Sequence, residues 1–168
     1  LISLGNAQLK VPPSRITKKN LIDACHYFSQ ALNYLRNNPT TTRKQVARVC
    51  QKLLEATLGL SQIARTTEER MKHANQAQKY GEVALENVVN CGDQCMAAQV
   101  QFFLACVTAW KVYLNIKEHA AGSDNTPDSE RAQLLLFNRM EKLKDYPTLD
   151  VGWYERQVRT YVGYLTGA

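Results

Sequence analysis

From Leu21 onward the apolar residues fall three and four apart: Leu21, Ile22, Cys25, Phe28, Leu32 and Leu35 share one side of a helical wheel. That period belongs to an amphipathic helix with one face turned to a core. It predicts a helix over 17–36, closed by Asn37-Asn38-Pro39, where proline cannot continue the helical hydrogen bonding. Val46, Val49, Cys50, Leu53, Thr57, Leu60 and Ala64 then mark a longer second helix over 42–65, opened by the hydroxyls of Thr40, Thr41 and Thr42. Thr66 or Thr67 caps a third, with Glu68 and Glu69 in its first turn, where negative charge suits the exposed amides. Met71, Ala74, Ala77, Tyr80, Ala84 and Val88 form its inward face, to about residue 90.

Gly92 stops that helix and Asp93 opens a fourth, which carries Met96, Val100, Phe103, Cys106, Val107, Trp110, Tyr113 and Leu114. It is the most apolar helix and is expected to be central. A loop is expected at about 120–128, where the residues are small and polar. A fifth helix follows over 128–144 with Leu134, Leu135, Phe137 and Met140 inward, broken at Tyr146-Pro147. A sixth, over 149–165, carries Trp153, Val158, Tyr161, Val162 and Leu165. Tyr154, Tyr161 and Tyr164 share one of its faces, expected to be exposed as the seat of a following helix or a dimer contact. No segment alternates with a period of two over more than four residues, so strands are not predicted.

The expected fold is all-α: about six antiparallel helices stacked as helical hairpins, because short turns can join only neighbours. One domain is expected over 17–168. Residues 1–16 contain Val11-Pro12-Pro13 and are expected to form an extended arm or linker. Within the first helix, Ala24, Phe28, Ala31 and Leu32 follow the pattern A-x-x-x-F-x-x-A-L, and Ala77, Gly81, Ala84 and Leu85 repeat its small-residue spacing in the third. This resembles the second helix of a tetratricopeptide repeat, where small residues let paired helices approach closely. The chain departs from that family: Ala31 and Ala84 are 53 residues apart, no multiple of the usual repeat of about 34, and no W-x-x-L-G-x-x-Y motif opens a hairpin. The resemblance is to a degenerate, long-helix, tetratricopeptide-like domain or helical bundle. It implies a concave surface for a peptide or partner helix, with 17–36 and 68–89 as wall helices and a groove lined by the second and fourth helices.

Composition narrows the function classes. Of 168 residues 45% are hydrophobic, which supports a packed core and excludes a disordered chain. No apolar run reaches the ~20 residues of a membrane span, so no membrane role is expected. The chain begins at Leu1, without the basic-then-apolar order of a signal peptide, and reads as a piece of a longer protein. Five cysteines, mostly amid apolar helical positions, fit a reducing compartment, nuclear or cytoplasmic. Cys91 and Cys95 are the one close pair, and His26, His73 and His119 have no ligand spacing, so neither a metal site nor a cofactor is expected.

Charge is uneven: residues 1–79 hold 13 Lys/Arg against 4 Asp/Glu, and residues 80–168 hold 8 against 11. A basic half of this kind attracts acidic partners or nucleic acid. Lys44, Arg48 and Lys52 stand four apart on one helix face with Arg43 beside them, while Gln99 and Lys111 mark the exposed side of the fourth helix. These six residues are the candidate partner-binding set. No phosphate loop or hydrolase motif occurs, and adjacent Cys25 and His26 point about 100° apart on a helix, so no catalytic residues are assigned. The expected function is a non-catalytic protein-interaction or scaffold domain that meets another protein, such as an acidic peptide or helix. The alternative is a nucleic-acid-associated module using the basic N-terminal half, although the basic row lacks the interleaved aromatics that bind single strands.

Overall fold

A computed structural model describes residues 1–9, 17–118 and 126–167. These contain seven helices and no strand: α1 (Ile2–Leu9), α2 (Lys18–Arg36), α3 (Arg43–Ile63), α4 (Thr67–Val89), α5 (Gln94–Glu118), α6 (Thr126–Leu143) and α7 (Val151–Thr166). The all-α class with stacked antiparallel neighbours is what the hydrophobic period requires. The chain divides into two compact units, Leu1–Asp93 and Gln94–Ala168. The division falls between Asp93 and Gln94, just after Gly92 at a positive φ of 71°.

In the first unit α1, α2, α3 and α4 pack in sequence order, each on the next. Local chemistry fixes the helix starts. The Thr17 and Thr42 hydroxyls accept from the backbone N–H groups of Asn20 and Gln45, whose side chains in turn accept from the Thr17 and Thr42 amides. Thr66 caps α4 by accepting from the Glu69 amide. α3 is buried on two faces, with Val49, Cys50, Leu53, Leu54 and Ala56 enclosed between α2 and α4. The small residues Ala74, Ala77, Gly81 and Ala84 bring α4 close to it. The turn between them is tied down by Arg70, whose Nε donates to the Ala64 carbonyl at 2.6 Å, and by the Ser61 hydroxyl, which donates to the Arg70 carbonyl.

Residues 2–9 correct the sequence reading, which expected an extended arm over 1–16. They form α1, seated on α2 with Gly5 directly over the buried Phe28 ring. Residues 10–16, including the two prolines, lie outside the described residues.

In the second unit α5 contacts both α6 and α7, which also pack on each other, so α5 is the centre of its own unit. It is long and apolar enough to cross a membrane by length and composition, contrary to the expectation that no such segment exists; 56% of that window is buried inside the protein. The expected loop at about 120–128 lies largely outside the described residues, and 126–128 already belong to α6. The inward face of α6 also differs from the expected one. Ala132, Leu136, Met140 and Leu143 are buried, while Leu134 is 61% and Phe137 43% exposed. α7 opens on Asp150, which accepts from the Trp153 amide, and closes on Gly167 in the left-handed conformation.

The tyrosine stripe of α7 is exposed only in part, at Tyr164, which is 36% exposed. Tyr154 and Tyr161 are buried. Tyr154 meets Phe102 edge-on at 5.0 Å, and Tyr164 packs against Trp110 at 5.3 Å and Tyr113 at 5.1 Å. Edge-to-face and offset contacts of this kind hold α7 to α5.

Candidate functional site

Four of the six expected partner-binding residues, Arg43, Lys44, Arg48 and Lys52, lie on α3 in the first unit; Gln99 and Lys111 lie on α5 in the second. The structure divides the α3 row by the company each charge keeps. Lys44 reaches Asp93 at 3.0 Å in a pair whose side chains are 52% and 24% exposed, a contact worth at most about 1 kcal/mol. Lys52 is half-buried and faces Glu55 Oε2 at 3.3 Å. Burial raises the Glu55 carboxyl above its ordinary range, and the Lys52 charge pulls it partly back. Lys52 is thus held in a half-buried pair and is not the free end of a stripe. Arg43 and Arg48 are exposed and have no carboxylate within ion-pair distance among the described residues.

The expectation for α5 needs correction too. Gln99 and Lys111 are half-buried, not exposed. The Gln99 amide donates to the Tyr154 hydroxyl at 3.0 Å, which gives it a structural task in the second unit. α3 and α5, expected to line one groove, belong to different compact units.

A groove of the first unit lies on α1, α2 and α3. It measures about 250 Å³ and is lined by Ile2, Leu35, Thr42, Lys44, Gln45, Arg48 and Val49. Its floor is aliphatic, with Ile2 from α1, Leu35 from the last turn of α2 and Val49 from α3. Its rim is cationic, because Lys44 and Arg48 stand one turn apart on the same face. α3 has no acidic residue in its first turn, so the positive end of its dipole adds to the charge of Arg43 and Lys44. Sequence reasoning found the rim and set Leu35 and Val49 on inward faces but missed Ile2, which belongs to the helix it expected to be extended.

Chemically the remaining reactive groups are quiet. Burial pushes the Cys25 thiol up to about 11, and that of Cys50 to about 11 against the lowering pull of Arg36, so neither is a thiolate at neutral pH. The His26 ring is engaged by Gln30, Nε2 to Nε2 at 3.0 Å. No group of three or more His, Cys, Asp or Glu with a metal-binding arrangement occurs among the described residues. The five cysteines are free, with Cys50 and Cys106 buried and Cys91 exposed.

A scan against protein-family models finds no match. Searches of the curated proteins and of the solved structures find none either.

Proposed function

We propose that this chain is a non-catalytic protein-interaction scaffold that docks acidic partners on its first unit. One observation carries the reading: the whole net charge of +6 lies in residues 1–93, with 13 Lys/Arg against 7 Asp/Glu, whereas residues 94–168 hold 8 of each. A field confined to one unit steers anionic partners to that unit. The raised thiols of half-buried Cys25 and buried Cys50 support a role without nucleophilic chemistry, and free thiols suit an intracellular setting, nuclear or cytoplasmic. The buried Ala24, Phe28, Ala31 and Leu32, and Ala77, Gly81 and Ala84, support reading α2 and α4 as degenerate tetratricopeptide-like helices.

The test is affinity capture with the full chain and with an Arg43→Glu/Arg48→Glu double variant, after nuclease treatment and with quantitative identification of the bound proteins. The expected result is a set of proteins with acidic segments that the double variant no longer retains. Retention that charge reversal leaves intact refutes the assignment of the face. Retention that nuclease abolishes favours the nucleic-acid module instead, as does a steep salt dependence of RNA binding by the purified chain.

A further inference from the structure

Resting on the interaction reading above, we infer that the groove on α1, α2 and α3 seats one large apolar side chain of an acidic amphipathic helix, with an acidic residue of that helix meeting Arg48. The volume sets the size of the guest. About 250 Å³ falls below the range of roughly 300–1,000 Å³ typical of sites for drug-sized ligands and cofactors, and suits a single side chain.

The lining sets its chemistry. The Ile2, Leu35 and Val49 floor offers aliphatic contact and no aromatic platform, which suits Leu or Phe and not a stacked base. The rim sets the flanking charge. Lys44 already has Asp93 at 3.0 Å, so Arg48 is the rim cation that an incoming carboxylate completes. An anchor in a groove with a charged contact one turn away is the helix-in-groove mode of recognition, read at spacings of three and four.

The experiment uses the full 168-residue chain and a fluorescently labelled, alanine–glutamate helical peptide carrying one central Phe, followed by anisotropy. Replacing the peptide's Phe by Ser is expected to weaken binding by about tenfold or more, the factor set by burying one large apolar side chain. Arg48→Glu is expected to weaken it by about tenfold at low salt, and Ile2→Ser by a few-fold. Both protein residues are exposed at the surface, and an unchanged far-ultraviolet spectrum and urea midpoint show that the variants fold. A peptide with Lys in place of Glu tests the same charge contact on the unaltered protein and is expected not to bind.

Binding that needs both the Phe and the acidic residues supports the inference. Binding that survives Phe→Ser but not Arg48→Glu overturns the groove while leaving the scaffold reading in place. Failure of every acidic peptide at millimolar concentration overturns the inference, and if RNA binds under the same conditions the scaffold reading falls with it.

Discussion

Gly5 is the place where one added carbon decides whether α1 belongs to the fold. A Cβ built there lies 2.7 Å from Phe28 Cζ, 2.8 Å from Cε1 and 3.0 Å from Cδ1, against a normal carbon–carbon contact of about 3.5–4.0 Å. Gly5→Ala therefore asks the ring to retreat by nearly 1 Å. Phe28 is wholly buried in α2, so its ring can retreat only by shifting among its packed neighbours.

Two effects oppose each other. Alanine raises helix propensity by about 1 kcal/mol over glycine, while forcing a methyl group into a packed site costs about 1–3 kcal/mol. A contact this short on an enclosed ring puts the cost at the upper part of that range, so the expected net loss is about 1–2 kcal/mol. The cost has a ceiling, because α1 can leave its seat altogether. Eight residues do not hold a helix alone, so undocking appears as lost helical circular dichroism and faster proteolysis near the N-terminus. Urea unfolding of Gly5→Ala, read with limited proteolysis, decides the matter. A midpoint that rises, as propensity alone requires, refutes the packing argument and with it the seat of Ile2 beside the groove.

Three further outcomes are expected. Glu55 is neutral below about pH 4.5 in folded and unfolded chains alike; because burial raises its folded pKa, ionisation with rising pH favours the unfolded chain, so stability is lost as pH climbs through the folded value. Glu55→Gln is expected to gain stability over the parent as pH rises above the ordinary carboxylate range, and a difference that stays constant with pH in urea titrations contradicts the assignment. Tyr154→Phe removes the acceptor of the Gln99 amide and is expected to cost about 0.5–1.5 kcal/mol, measured by thermal unfolding; no change shows that the half-buried amide finds water equally well. Thiol titration of the native protein at mildly alkaline pH is expected to modify exposed Cys91 first, half-buried Cys95 more slowly, and Cys50 and Cys106 only on unfolding, since burial raises the thiol pKa of both; rapid modification of Cys106 refutes its place in the core.

The helices most legible in the sequence were those whose ends carry their own chemistry. Predicted bounds of 17–36 and 42–65 became Lys18–Arg36 and Arg43–Ile63, because Thr17 and Thr42 announce their caps locally. α1 was illegible for the opposite reason. Ile2–Leu9 is short, its large apolar residues Ile2, Leu4 and Leu9 do not keep one helical spacing, and it has no acidic residue in its first turn or hydroxyl cap ahead of it. It is seated by Gly5 over Phe28 and by the Asn20 amide donating to Gln8 at 2.8 Å, contacts that no local pattern encodes. On α6 the run Leu134-Leu135-Leu136-Phe137 surrounds the helix with large apolar residues, so the period could not choose a face; Ala132 and Leu143, at its margins, marked the buried side. Tyr154 is buried against expectation because its partner Phe102 is distant in sequence, whereas Tyr164 stays exposed while packing on Trp110 and Tyr113.

The basic row was legible as charge and illegible as surface, since Asp93 and Glu55 claim two of its members and leave two. What remains bears on the proposed docking face. α4 opens with Glu68 and Glu69, which complement its dipole, and α6 has Asp128 in its first turn. α3 opens with Arg43 and Lys44 and no acid at all, a placement that forgoes about 0.3–1 kcal/mol for each charge a complementary residue would have supplied. α2 likewise opens with Lys18 and Lys19 and no acid, so a basic start is not peculiar to α3; what sets α3 apart is the aliphatic groove beside it, which would give a docked partner an apolar seat next to a cationic rim. On the proposed reading, the missing negative charge at the start of α3 is supplied by the acidic partner when it docks.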